Sequence, residues 1–237
     1  MRRPHLPPKL ARGLRLFSTS LMAAGVVLLA DAGLTLVWQE PISAVYAHFR
    51  QQSLSSDLTK LEDQGPTQEE LRALAQLESQ RKKLGFLARS MRHKVGDGDA
   101  IGRLKIPRIG VSQVVVEGTD TGDLMRGPGR YGDSSLPGLP GTTAVAGHRT
   151  TYGAPFRNVN KLKRGDRMTF EMPYGKFTYE TIRTRIVDPG DYGVTRSVRG
   201  QDRLVLTACH PLYSAAQRIV VFARLIRAEP RGAALRA

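Results

Sequence analysis

RLVLTACHPLYSAAQRIVVFARLI, Arg203 to Ile226, is the stretch whose reading decides the fold. It holds two short apolar runs, RLVLTAC and QRIVVFARLI, too short for a core helix and bounded like strands. Pro211 has no N–H to give a ladder and stops pairing after the first run. Outward from there the same texture returns. DRMTFEMPYGKFTYETIRTRIV (Asp166–Val187) reads as a hairpin-like pair turning at Pro173-Tyr174-Gly175. TTAVAGH (Thr142–His148) is a strand, and GRLKIPRIGVSQVVVEG (Gly102–Gly118) reads as two strands joined by a proline-containing turn. Short strands at close spacing, with no helix alternating between them, predict an all-β barrel or sandwich.

Composition agrees. The chain has 237 residues, 41% hydrophobic and 6% aromatic, with 24 Gly and 14 Pro. That is enough for one packed domain plus appendages, and it favours strands and turns over a helical bundle. The net charge of +15 admits an anionic partner. The cations are spread along the chain with no nucleic-acid-binding motif, so nucleic acid is set aside. One cysteine excludes an internal disulfide and a multi-thiolate metal site. His5, His48, His93, His148 and His210 stand at no metal-ligand spacing, and no metal or cofactor is expected.

The first residues carry an address. Arg2, Arg3, Lys9, Arg12 and Arg15 precede an apolar stretch, and no acid lies among them. Leu16 to Trp38 is 23 residues, interrupted only by Asp31. At ~1.5 Å per residue this crosses a ~30 Å hydrocarbon core. Asp31 lies past the midpoint, and Trp38 suits the far interface. The basic flank predicts a cytoplasmic amino terminus and an external remainder. A cleaved signal peptide with its cut near Ala30-Asp31-Ala32 is the alternative, and it too exports the domain.

Residues 39–98 read as a connector. Pro41 opens an amphipathic stretch (Ile42, Val45, Phe49) suited to the membrane surface, and Gly65-Pro66 breaks it. Thr67 followed by Glu70 is a capping-box start. Leu71, Leu74, Leu77, Leu84, Leu87 and Met91 then keep helical spacing to about Lys94. A spacer helix loosely packed on the core is expected, with a helix covering the active site as the alternative. The organisation expected is therefore a basic cytoplasmic segment (1–15), a transmembrane anchor (16–38), an extracellular linker or helical stalk (39–98), a catalytic domain (99–228) and a tail (229–237).

Three residues of catalytic type stand at strand termini. Cys209 ends RLVLTAC, His148 ends TTAVAGH, and Arg218 begins the last run, nine residues after Cys209. Each alone has an ordinary reading: a buried structural thiol, a loop histidine, one more arginine. Together they fit one chemistry. A free thiol with pKa ~8.5 is mostly protonated at neutral pH, and a cationic neighbour favours the thiolate. An imidazole can carry the proton to a leaving amine. A guanidinium offers fixed donors to a developing oxyanion. His210 follows Cys209 directly, so strand alternation turns it away and makes it structural.

The ordered set GPGRY (127–131), LPG (136–138), AVAGHRTTYGAPF (144–156), LVLTACHP (204–211) and QRIVVFAR (217–224) resembles the sortases, most closely class E of high-GC Gram-positive bacteria (actinobacteria). The resemblance spans about residues 100–227. It implies an eight-stranded sortase-like β-barrel with short helices, behind a single transmembrane helix and a helical stalk. It also implies a catalytic set of His148, Cys209 and Arg218. Two positions depart from the pattern: Ala208 stands where the family commonly has Thr, with Thr207 one place earlier, and Arg130 stands where His is frequent.

What the resemblance implies is a membrane-bound cysteine transpeptidase. Its substrates would be secreted proteins with a carboxy-terminal LAXTG- or LPXTG-like sorting signal, cleaved between Thr and Gly through a thioester on Cys209. Its acceptor would be an amine on a peptidoglycan precursor or a lysine of another surface protein. Thr150, Tyr152, Thr207, Ala208 and Tyr213, near the catalytic positions in sequence, are candidate substrate-binding residues. An L,D-transpeptidase fits poorly, because Leu-Thr-Ala precedes Cys209 and Pro211 stands two residues after it. The non-enzymatic alternative is a membrane-tethered basic module that binds anionic cell-wall polymers.

Overall fold

The structure is a computed structural model and describes residues 8–37 and 41–232. Its centre is a closed barrel. In chain order the strands are β1 (Ala100–Ile106), β2 (Val111–Glu117), β3 (Gly129–Arg130), β4 (Thr142–Ala146), β5 (Arg167–Met172), β6 (Gly175–Val187), β7 (Arg203–His210) and β8 (Gln217–Pro230). Around the barrel they run β1-β2-β3-β4-β7-β8-β6-β5. The eight strands expected are present, and β1 pairs with β5 to close the ring. The pair β5–β6 is the hairpin read at Pro173-Tyr174. The pairs β2–β3 and β4–β7 are parallel, the rest antiparallel.

Strand alternation fills the barrel. Leu104, Ile106, Val145, Phe170, Phe177, Leu206 and Val221 point inward and are fully buried. Gly102 is needed where β1 passes β5: a Cβ there would come 2.6 Å from the Glu171 carbonyl oxygen. A second apolar set lies on the outside of β4, β6, β7 and β8: Ala144, Val187, Val205, Val220 and Phe222. Tyr131 and Val194 cover it.

Four helices precede the barrel: α1 (Pro8–Val37), α2 (Pro41–Gln64), α3 (Gln68–Ala75) and α4 (Gln80–Lys94). A short α5 (Thr121–Arg126) follows β2. Helix α1 contains the candidate anchor, with 22 residues from Arg12 to Gly33 long and apolar enough to cross a bilayer. Trp38, expected at the far interface, lies outside the described residues.

The connector is not loosely packed. Leu84, Leu87, Ala88 and Met91 of α4 and Leu74 of α3 join the barrel's own core. Leu54 and Leu58 of α2 are buried against Ala100, Val114 and Val116 on the outside of β1 and β2. Each such leucine or methionine burial contributes about 1.5–3 kcal/mol. The capping box at Thr67 forms as read: Glu70 N donates to Thr67 Oγ1, and Thr67 N donates to Glu70 Oε2. Helix α3 ends at Ala75 and Ser79 caps a separate α4, so the single spacer helix expected is two. Leucine spacing alone does not show that break, because both pieces turn their apolar faces to the same core.

Candidate active site

The site grows out of β7. Leu204, Leu206 and Ala208 point into the core, so Val205, Thr207 and Cys209 lie on the outer face. Cys209 is half-buried at the strand's end. On one side, the antiparallel register sets Arg218, the second residue of β8, opposite Cys209. On the other side, parallel β4 pairs Ala146 with Thr207. Gly147 N continues that ladder to the Thr207 carbonyl at 3.1 Å. The next step of the chain carries His148 alongside Cys209. Three strand termini therefore bring thiol, imidazole and guanidinium to one rim, from positions 61 and nine residues away from the cysteine.

His148 is half-buried, and its Nε2 is fully enclosed with no hydrogen bond. Burial disfavours the imidazolium and lowers its pKa below 6.5. The neutral ring, the form that can accept a thiol proton, is favoured near pH 7. An enclosed polar atom without a partner is costly in a folded protein. The Arg218 guanidinium rests on the β7–β8 turn, its Nη1 donating to the carbonyls of Ala215 (2.9 Å) and Gln217 (3.0 Å).

Under the rim lies a residue to which the sequence assigned no role. Arg149 is 4% exposed although charged. Its Nη1 donates to the Cys209 carbonyl oxygen at 3.1 Å and meets His210 Nδ1 at 3.3 Å. Its Nη2 donates to Asn160 Oδ1 at 3.1 Å and, with Nε, to the Arg157 carbonyl. Burial pulls its pKa below the usual value; nearby Arg157 adds to this and Cys209 opposes it. His148 and Arg149 leave the backbone on opposite sides, as do Cys209 and His210. One pair faces the groove and the other ties the two strand ends together beneath it. This accounts for His210 as structural.

The candidate groove residues divide. Thr207 lies on the outer face, its Oγ1 2.9 Å from Tyr131 Oη. Thr150 and Tyr152 are half-buried on the loop after β4. Tyr213 is exposed beyond β7; its hydroxyl accepts from Arg157 Nη2 at 3.0 Å, and its ring lies under that guanidinium. Ala208 is corrected: strand alternation turns its side chain into the barrel core, where it is 4% exposed and lines no groove.

Tyr131 and Val194 pack against the apolar set on the outside of β4, β6, β7 and β8. The β6–β7 loop carrying Val194 is pinned to β4. Thr142 N donates to Ser197 Oγ at 3.1 Å, and Thr142 Oγ1 donates to the Arg196 carbonyl at 3.1 Å. Arg203 Nη2 holds the same Arg196 carbonyl at 2.7 Å.

The closed eight-stranded barrel, with a cysteine, a histidine and an arginine at or beside neighbouring strand ends, has counterparts among known proteins. The family model of the sortase domain matches residues 104–226, just over half of the chain. Sortase D of Bacillus subtilis is 36% identical over 132 residues, covering 54% of this chain and 65% of that protein. Sortase E1 of Streptomyces coelicolor is 30% identical over 149 residues, covering 56% of this chain and 42% of that protein. The matched stretches thus span less than two thirds of these relatives' own lengths. The solved structure of sortase E from Streptomyces avermitilis aligns with a TM-score of 0.53 at 33% identity, covering 57% of this chain and 93% of that one. The chain belongs to the sortase family.

Proposed function

We propose that this protein is a membrane-anchored cysteine transpeptidase. It cleaves an LAXTG- or LPXTG-like sorting signal between Thr and Gly and joins the upstream protein to an amine. The observation that supports the reading is the β7–β8 register that sets Arg218 opposite Cys209, with β4 extended to Gly147, the residue before His148, against Thr207.

The reaction runs in two halves. His148 accepts the thiol proton, and Cys209 Sγ attacks the Thr carbonyl carbon. Negative charge develops on the carbonyl oxygen, where Arg218 supplies donors. The C–N bond to Gly breaks as His148 returns the proton to the departing amine, leaving a thioester. An acceptor amine then attacks the thioester carbonyl, its proton passes to His148, the C–S bond breaks, and His148 returns that proton to the departing thiolate to restore the thiol and the neutral ring. An extended peptide would lie along the outer face beside Thr207, Tyr131 and the pinned β6–β7 loop. The anchor holds the barrel outside the cell, beside secreted substrates and a wall-precursor or protein-lysine acceptor.

The test mixes the full chain, in detergent micelles, with LAXTG and LPXTG peptides and triglycine, followed by mass spectrometry. A thioester on Cys209 and a triglycine-joined product are expected, with both lost in Cys209→Ala. A folded wild-type chain that forms neither species with any sorting peptide would refute the assignment and favour the wall-binding alternative.

A further inference from the structure

The loop after β4 holds the catalytic-type histidine in a conformation it would not keep alone. Tyr152 and Ala154 have φ of +51° and +41°, the left-handed region that side chains with a Cβ avoid. The Tyr152 ring lies against His148, with centroids 5.3 Å apart and planes tilted by 43°. Its other contacts come from far away in sequence. Tyr152 N donates to Ser43 Oγ at 2.9 Å, and Ser43 is 8% exposed. Tyr46 meets the Tyr152 ring edge-on at 6.2 Å. A Cβ at Gly153 would come 3.2 Å from Ala47 Cβ, so helix and loop are in close contact. All three partners lie in the first turns of α2, directly after the anchor.

Helix α2 is itself fixed to the barrel. Gln51 Nε2 donates to the carbonyls of Val114 and Arg126, both at 3.0 Å, and its Oε1 accepts from Val114 N at 2.7 Å. Ser55 Oγ accepts from Arg103 at 2.9 Å, and Leu54 and Leu58 are buried one and two turns further on. Arg50 stacks 5.0 Å over the Tyr46 ring and donates from Nε to its hydroxyl at 2.9 Å, which fixes that ring in turn.

We propose that Tyr152 is a positioning residue for His148, clamped by Ser43, Tyr46 and Ala47, so that the helix leaving the anchor is a working part of the active site. Tyr152 is accordingly a support of the imidazole and not a substrate contact. The inference rests on the transpeptidase reading only for the kinetic consequences; the clamp itself is read in the free protein. The stack also shields the imidazole from water, in keeping with its lowered pKa. The titratable and charged groups on the elements around that ring are Cys209 and His210 on β7 and Arg218 on β8. Arg149, Tyr152 and Arg157 lie on its own loop, and Tyr46, His48 and Arg50 on α2.

The experiment uses the full chain in micelles with Ser43→Ala, Tyr46→Ala, Tyr152→Ala and Tyr152→Phe. Two readouts are taken: kcat and KM for a sorting peptide across pH, and histidine Cε1–H NMR titration, with the His148 signal assigned by its loss in His148→Asn. Tyr152→Ala should lower kcat about 10- to 100-fold with KM little changed, since misplacing a reacting group by an ångström costs that much. Tyr152→Phe, which keeps the ring, should restore most of it. Tyr46→Ala and Ser43→Ala should act in the same direction, about three- to tenfold. In Tyr46→Ala and Tyr152→Ala the His148 signal should titrate at higher pH than in wild type, because the ring is opened to water. An unchanged titration together with unchanged kcat would overturn the clamp, and a rise in KM alone would return Tyr152 to substrate binding. Should Tyr152→Ala fail to fold, Tyr46→Ala alters a residue already 36% exposed and carries the test. Wild type without transpeptidation would sink the functional reading while leaving the NMR arm decisive for the clamp.

Discussion

His148 is enclosed as a neutral ring, so acid acts on it differently in the folded and unfolded chains. Its folded pKa lies below the unfolded 6.5, and as pH falls through that value the unfolded chain binds a proton the folded one resists. The stability linked to this residue is complete above pH 6.5 and is lost as pH falls through the folded value. The melting temperature should therefore drop more between pH 7 and pH 5 for wild type than for His148→Asn; equal drops would mean that the ring is not desolvated. Arg218 makes a separate prediction. Removing a donor to a developing oxyanion costs about 10²–10³ in kcat, and Arg218→Lys should recover little, because a point charge does not reproduce a planar fork. Full activity in Arg218→Ala would move oxyanion stabilisation elsewhere on the rim. That Cys209, His148 and Arg218 stand at or beside strand ends was legible, because the short apolar runs mark those ends. Arg149 was not, since nothing local separates it from the other members of a set of 36 Lys and Arg. Its burial arises only when the loop folds back, with Phe156 N on the His148 carbonyl at 3.0 Å.

Between elements, the tie joining α3 to α4 is ionic. Burial alone would raise the pKa of Glu70, but hydrogen bonds from Lys94, Ser90 and the Thr67 backbone outweigh it and hold the carboxyl at about 2. Lys94 Nζ lies 2.7 Å from Glu70 Oε1. A carboxylate with a depressed pKa contributes stability present above its unfolded value of 4.5 and lost as pH falls toward 2. Glu70→Gln should flatten the acid limb of stability measured by urea unfolding between pH 5 and pH 2, with little effect at the rim. The docking of α2 is apolar. Leu54→Ala should cost about 2–5 kcal/mol in the same assay, as expected for a leucine truncated in a packed site. A cost below about 0.5 kcal/mol would mean that α2 is a detachable stalk. The helical spacing of Leu71 to Met91 and the capping box at Thr67 were plain in the sequence. The surface those helices cover was not, because an apolar stripe states that it must be buried and not against what. On α2, Val45 and Phe49 stay exposed while Ala47, Leu54 and Leu58 form the docked face.

For the whole molecule, strand texture left barrel and sandwich open. What closes the ring is the pairing of β1 with β5, more than sixty residues away along the chain, and the parallel contacts of β4 with β7 are equally non-local. The candidate anchor and the charge are whole-molecule properties as well, and together they separate the two functions considered. Confining enzyme and substrate to one membrane raises their effective concentration without any new contact at the site. A protease site placed after Val37 would cut the anchor away and leave Ser43, Tyr46 and the rest of α2 in place. With a soluble sorting peptide, kcat/KM should be the same before and after the cut. With a sorting peptide tethered to the lipid of the same vesicles, release should slow conversion about 10²-fold or more. A basic wall-binding module instead owes its partner affinity to the +15 charge, which salt screens over about 8–10 Å at physiological ionic strength. Retention on anionic wall polymer would then fall steeply between 50 and 500 mM salt and survive Cys209→Ala. Loss of tethered-substrate turnover on release, combined with dependence on Cys209, supports the transpeptidase; salt-labile retention indifferent to Cys209 supports the binding module.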